Sequence, residues 1–402
     1  MKILVVCQYY YPELVRITDI CEEFVKRGHE VDVITDIPNY PMGVIFDGYK
    51  NGKKRDEVIN GVNVHRCFTI ARRSGALFRF LNYYSYAISS TRYASKLKKE
   101  YDAVLVNQLS PVMMASAAVK YKKKHNKKLL LYCLDLWPES LVAGGIKRGG
   151  LIYKFFNRVS GKLYRKADRI LVTSRDFTTY LENQFGIEKD KLSYLPQYAE
   201  DLFKPAERVE KDMVDLTFAG NIGVMQSVET IIRAAAELKD IDNLRFNIVG
   251  DGISLEDCKK LSAELGAENV VFHGRKPLEE MAEYYRNADA MLVTLAKDPL
   301  ISMTIPGKVQ TYMAAGKPVI GAIDGETPKV IEEAKCGYCS ASGDYMALAE
   351  NIRKFLESDI EELGRNSAKY YEENFRKDKF IDTLLAELGE SENAILQEEK
   401  ML

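Results

Sequence analysis

The feature that most constrains this chain is a β–α alternation that runs through it twice. The apolar runs KILVVCQ (2–8), EVDVIT (30–35), GVNVHRCF (61–68), AVLVN (103–107), KLLLYCLD (128–135) and RILVTS (169–174) predict strands. Helical stretches lie between most of them, such as ITDICEEFVKR (17–27), closed by Gly28. Strands that are apolar on both faces belong to parallel sheets covered by helices. The pattern restarts with VDLTFAGN (214–221) and continues through LRFNIVGDG (244–252), NVVFHG (269–274), DAMLVTL (289–295), KPVIGAI (317–323) and GYCSA (337–341). The expectation is an α/β protein of two tandem Rossmann-like, doubly wound domains, 1–200 and 201–390, with a tail at 391–402. The polar stretch YAEDLFKPAERVEKD (198–212) is the natural boundary.

A length of 402 residues agrees, since single cores stop growing beyond about 250–300. The net charge of −1 hides a division: residues 1–200 hold 33 Lys/Arg against 20 Asp/Glu, and the remainder 24 against 38. Halves of +13 and −14 suggest different partners, one of them anionic. The seven Cys show no disulfide framework, which suits a reducing cytosol, and Cys336-x-x-Cys339 reads as a turn more readily than a metal or redox pair. Met1 and Lys2 precede only the five apolar residues ILVVC, too few for a signal-peptide core. AVLVNQLSPVMMASAAV (103–119) is broken by Asn107, Gln108 and Pro111, so it predicts a strand, turn and helix start rather than a membrane span.

Ligands of such domains sit beyond the carboxyl ends of the strands, and two facing domains would put the site in a cleft. After the first strand there is no G-x-G-x-x-G, and Walker A is missing throughout, so a nicotinamide or P-loop site is not expected. FAGNIGVMQSVETII instead places Gly220, Asn221 and Gly223 between a strand and a helix, a turn suited to a diphosphate or only to chain reversal. In MTIPGKVQTYMAAGKPVIG (303–321), Pro306 starts a helix and Lys308 sits in its first turn. A cation there is disfavoured by the helix dipole unless an anion lies beside it; the plainer reading is a solvated lysine. No D-x-D stands on a plausible metal loop, so no divalent ion is expected.

The strings GNIGVMQSVETIIRAA, VGDG (249–252), FHGRKP (272–277) and IPGKVQTYMAAGKPVIG occur in an order that resembles the retaining glycosyltransferases of family four. The opening ILVVCQYYYPE, KRGHEVDVIT and DLWPES (135–140) are similar to the same family, over roughly residues 1–390. The resemblance implies the GT-B fold and is nearest the bacterial O-antigen, capsule and exopolysaccharide subgroup. It implies that Gly220, Asn221, Ile222 and Gly223 touch a donor diphosphate with Gln226 beside them, and that Lys308 contacts phosphate. Gly250, Asp251 and Gly252, with Gly274, Arg275 and Lys276, match loops flanking the nucleobase, and a UDP-sugar is the implied donor. The family's Glu-x7-Glu pair is replaced by Met303 and Thr311, leaving Glu326 as a candidate carboxylate or simply a solvated loop residue. Asp135 matches a position facing the transferred sugar, or is a turn carboxylate. The implied chemistry is front-face: the leaving phosphate takes the acceptor's proton while the protein positions the reactants and stabilises the growing charge.

The basic first half reads as the acceptor side. Tyr11 and Arg16 replace a Gly-rich turn, and Arg72, Arg73 and Arg79 flank the aromatic stretch GALFRFLNYYSYAISSTRYAS (75–95). Further basic clusters stand at 96–99 and 122–128. This composition suits an anionic membrane surface and a polyprenyl-diphosphate-linked acceptor, or only a core helix with solvated ends. No nucleic-acid motif accompanies the charge. The expectation is a cytoplasmic enzyme, peripheral at the inner face of the plasma membrane, transferring an amino or deoxy sugar for surface polysaccharide. The rivals are a UDP-sugar 2-epimerase of the same fold and a non-catalytic nucleotide-sugar binding protein.

Overall fold

The computed structural model describes residues 1–143, 145–206 and 211–389; the expected tail at 391–402 lies outside them. Two compact units emerge. The first comprises Met1–Thr173, Phe177–Leu195 and the chain from Ile381 onward, and the second comprises Ser174–Asp176 and Pro196–Phe380. The division differs from the expected one in the C-terminal segment: Ile381 and its successors return to the first unit instead of closing the second. The reason is electrostatic as well as apolar. Arg27 pairs with Asp382, and Arg169 Nε donates to Glu387 Oε2 at 2.8 Å.

The first unit is built on strands β1 (Lys2–Val6), β2 (Glu30–Asp36), β3 (Asp56–Ile59), β4 (Val62–Cys67), β5 (Ala103–Gln108), β6 (Lys128–Cys133), β7 (Arg169–Val172) and β8 (Leu192–Tyr194). Their order is β3-β4-β2-β1-β5-β6-β7-β8, parallel except for the β3–β4 hairpin. The second unit holds β9 (Val214–Ala219), β10 (Leu244–Val249), β11 (Val270–Gly274), β12 (Ala290–Thr294), β13 (Val319–Ala322) and β14 (Gly337–Ser340). These run β11-β10-β9-β12-β13-β14, parallel throughout. Both sheets therefore reverse strand order at their centre, at β1/β5 and at β9/β12, where a crevice opens beyond the strand ends.

Burial explains why these segments could be read from sequence. Every residue of β5 and β12 is buried, as helices cover both faces. The edge strands β3 and β8 were not foreseen: β3 has no fully buried residue and β8 is three residues long. Several basic clusters of the first half have structural partners. Lys99 bridges Glu30 and Asp32 at 2.6 Å to each. Lys122 pairs with Asp168, and Lys124 Nζ donates to the carbonyls of Leu97 and Ser95 at 2.6 and 3.1 Å. Lys122, Lys123 and Lys124 form the last turn of the helix Ser116–His125, where the dipole favours cations. Among the described residues no helix is long and apolar enough to cross a membrane.

Candidate active site

The carboxyl ends of β9, β10 and β11 carry the glycine turns, and hydrogen bonds knit them together. Gly220 N–H donates to Val249 O, Ile222 N–H to Asp251 O, and Gly250 N–H to Gly274 O, each at 2.9 Å. A β-carbon at Gly250, whose φ is +151°, would stand 1.8 Å from Gly220 O, so the two turns approach as closely as only glycine allows. Beside them runs the helix Gly307–Ala314, which begins after Pro306 as expected. Tyr312 of this helix clamps the end of β9, its hydroxyl meeting both N–H and C=O of Ala219 at 3.3 Å.

Lys308 is the centre of this arrangement. Its ammonium is buried, has no hydrogen-bond partner, and lies 3.9 Å from the centre of the Phe218 ring. A β-carbon on Gly220 would be 3.3 Å from Nζ, so the charge sits directly under the first glycine turn. Burial pulls its pKa down to about 7. An ammonium removed from water without a counter-ion is expensive unless a ligand supplies the anion. The solvated-lysine reading does not survive.

Lys308 opens onto a pocket of about 480 Å³. Of the residues expected to hold the donor, Gly220, Asn221, Gly250, Asp251, Arg275, Lys276 and Thr311 line it. Arg275 and Asp251 approach to 3.7 Å, and Lys276 lies 3.7 Å from Glu280. Thr311 Oγ1 donates its one proton to Gly307 O at 3.1 Å, so towards a ligand it can only accept.

Others are corrected. Ile222 is fully buried in the apolar core under its sheet. Gly223 is buried beneath the side chains of Asn221 and Gln226, which are joined by a 2.9 Å bond from Nδ2 to Oε1. With the N–H groups of Gly220 and Ile222 already engaged, the 220–223 turn does not present four donors; among the described residues the exposed Asn221 is its candidate donor. The following helix, Val228–Ala236, begins only after a 3-10 turn at Val224–Gln226, and Glu229 already occupies its first turn. Gln226, Gly252 and Gly274 support the turns and do not line the pocket. Glu326 is also absent from the lining: 1% exposed, it accepts from Ser174 Oγ and from Asp176 N–H (3.1 Å), with Arg175 3.8 Å away.

Sequence reasoning missed the apolar wall. Leu278, Met281 and Tyr285 line the pocket from the helix Leu278–Asn287, at a spacing of three and four that marks one helical face. Phe203 stacks on Tyr285 with ring centres 4.7 Å apart, and Glu200 stands at the rim. Both lie in the polar stretch read as a linker, and no local signal marked them.

In the first unit, Asp135 follows β6, and its Oδ2 accepts the N–H of Ser110 at 3.0 Å. Burial raises its pKa, opposed by hydrogen bonds from Ser110. Trp137, also buried, donates from Nε1 to Ser110 Oγ at 2.9 Å. Arg72 is half-buried among tyrosines, whereas Tyr11, Arg73 and Arg79 are exposed. Arg16 is half-buried and opens the helix Arg16–Lys26. Cys336 and Cys339 are free thiols with pKa values raised by burial to about 12. Among the described residues no group of three His, Cys, Asp or Glu is placed to hold a metal ion.

Comparison with known proteins fits this geometry. Among solved structures, the Anabaena protein HepE in complex with UDP aligns over 96% of this chain and 99% of its own, with a TM-score of 0.71 at 14% identity. The two parallel-sheet units therefore make a GT-B fold. The family model described as "Glycosyl transferase 4-like domain" matches residues 14–197, and that described as "Glycosyl transferases group 1" matches 200–378. WbjE of Pseudomonas aeruginosa, named as a glycosyltransferase, is 27% identical over 66% of this chain and 70% of its own length. WcaI of Escherichia coli K12, named for a glycosyl transfer step in colanic acid biosynthesis, is 25% identical over 79% and 82%. The chain belongs to the family-four glycosyltransferases, and it is a glycosyltransferase.

Proposed function

We propose that the protein transfers a sugar, with retention of configuration, from a UDP-sugar to a lipid-diphosphate-linked saccharide during surface polysaccharide synthesis. The observation that carries this reading is Lys308, a buried and unpartnered ammonium at the base of a pocket lined by glycine turns. A donor diphosphate would supply its missing counter-ion, and Lys308 would stabilise the charge that builds on the leaving phosphate. UDP as the nucleotude is supported by the HepE complex, and the polysaccharide context by the name of WcaI.

Contact with an anionic membrane surface is supported by exposed apolar side chains in the basic unit. Leu77 and Phe80 are exposed on the helix Ala76–Lys96, and Leu151, Ile152 and Phe155 on the helix Leu151–Tyr164. The ring contacts Phe80–Tyr84, Tyr84–Phe156 and Phe156–Phe155 join the two groups. Such residues beside Arg73, Arg79 and Lys154 suit insertion among anionic headgroups.

The test is release of UDP from a panel of UDP-sugars, with and without a polyprenyl-diphosphate-linked saccharide. Release that requires the acceptor, survives a chelator and is lost in Lys308→Met is the expected result. Turnover without acceptor would favour the epimerase reading, and UDP-sugar binding without turnover the binding-protein one.

A further inference from the structure

The first unit contains a second cation with no carboxylate beside it. Arg72 forms no ion pair among the described residues. Its guanidinium carbon lies 5.4 Å from the ring centre of Tyr40 and 5.8 Å from that of Tyr83. Tyr9 stands against Tyr40 with ring centres 4.9 Å apart. Only 4% of Tyr9 is exposed, and its buried hydroxyl lies beside the Arg72 guanidinium but has no acceptor for its own proton. Arg72 and Tyr83 influence one another electrostatically, and Tyr83 also feels Asp135.

The cluster is held from behind. Arg72 N–H donates to Asn39 Oδ1 at 2.8 Å. The N–H groups of Asn39 and Tyr40 both go to Glu13 Oε1, at 2.8 and 2.7 Å. The backbone carrying Arg72 and Tyr40 is therefore fixed independently of their side-chain ends.

Two unbalanced terms remain. The half-buried guanidinium meets tyrosine rings and hydroxyl oxygens but no anion, and cation–π attraction returns only part of what its desolvation costs. A buried hydroxyl whose proton has no acceptor adds to that cost. One ligand group removes both: a phosphoryl oxygen set accepts from the guanidinium fork and from the Tyr9 O–H. A neutral sugar hydroxyl would leave the charge unmatched.

We propose that Arg72, Tyr9 and Tyr83 form a phosphoryl-binding subsite that takes the phosphate end of the lipid-linked acceptor. This rests on the transferase reading above, and names the group through which the acceptor is held.

Farnesyl diphosphate serves as a soluble probe, with binding followed calorimetrically on the full chain; UDP binding and binding to phosphatidylglycerol vesicles are measured in parallel. Arg72→Gln should weaken farnesyl diphosphate by at least about tenfold, while UDP affinity and vesicle binding stay at wild-type values. Arg72→Lys, which keeps the charge but loses the fork, should recover part of that loss. Tyr9→Phe, which keeps the ring, should weaken the probe about threefold. Lys308→Met should lose UDP and keep the probe. Unchanged probe affinity in Arg72→Gln and Tyr9→Phe overturns the subsite but leaves the transferase reading intact, provided UDP still binds through Lys308. Loss of vesicle binding with the probe unaffected also overturns it, assigning Arg72 to bilayer headgroups instead.

Discussion

Lys308 and Arg72 are both cations withdrawn from water without a carboxylate, and the two units hold them in opposite ways. Lys308 is a compact charge 3.9 Å from the Phe218 ring centre, with burial lowering its pKa to about 7. Arg72 is a planar charge among three tyrosines. Burial opposes its ionisation, but the neighbouring oxygens of Tyr9, Tyr83 and Tyr40 outweigh this and hold its pKa above the usual value. The first can give up its proton near neutrality, and the second cannot. The contrast also runs against bulk charge: the pocket beside Lys308 sits in the −14 half of the chain, so towards an anion one desolvated lysine matters more than the overall field.

The largest effect expected is from removing Lys308. Lys308→Met should lower turnover by about 100-fold or more, as deletion of a donor to a developing anion does. It should also raise the melting temperature of the ligand-free protein by about 3 °C or more, because an unpaired buried charge is gone. A variant that loses activity and melts lower would make Lys308 a structural residue and end the comparison with Arg72. Gly250→Ala comes next. Its β-carbon collides with Gly220 O, so a stability loss of about 2–4 kcal/mol and weaker UDP binding are expected; an unperturbed melting curve would show that the two turns can move apart at no cost.

The pH dependence sharpens the contrast at smaller magnitude. The folded pKa of Lys308 is lowered from 10.5 to about 7, so the free protein binds fewer protons than the unfolded chain between these values. Its contribution to stability is lost as pH falls through about 7 and fully recovered above 10.5. A bound diphosphate favours the ammonium, so UDP binding at pH 8 should take up close to one proton, and affinity should fall as pH rises from 7. Calorimetry in buffers of different ionisation enthalpy reads this uptake; Lys308→Arg should abolish it. The smallest change tests a charge that does have partners. Glu326→Gln should cost about 1–3 kcal/mol of stability, through its bonds to Ser174 and Asp176, and leave UDP affinity unchanged. A lost nucleotide affinity there would restore Glu326 to the site.

The strands were legible because burial on both faces writes them as continuous apolar runs, and Lys308 was legible because a cation in a first helical turn contradicts the dipole. Periodicity could not separate the exposed Asn221 from Ile222 and Gly223, one residue apart in the same turn but facing solvent and core respectively. Phe203 and Tyr285 meet across about eighty residues, and nothing local announces the pair. Lys99, Lys122 and Lys124 look like an anion-binding run until their partners Asp32, Asp168 and Leu97 are seen. Glu326 was open to two readings because Ser174 and Asp176 are remote in sequence.

The return of the chain at Ile381 has a practical meaning. Apart from Ser174–Asp176, the second unit is inserted into the first one's sequence, leaving it at Pro196 and re-entering at Ile381. It is thus leashed at both ends rather than hung from one linker. Residues 1–195 expressed alone would strand Arg27 and Arg169 without Asp382 and Glu387, and would lack the buried Leu384, Leu385 and Leu388 of the same unit. Dissecting this enzyme into halves therefore calls for joining the segment that starts at Ile381 back onto residue 195 through a short linker, not for cutting the chain once.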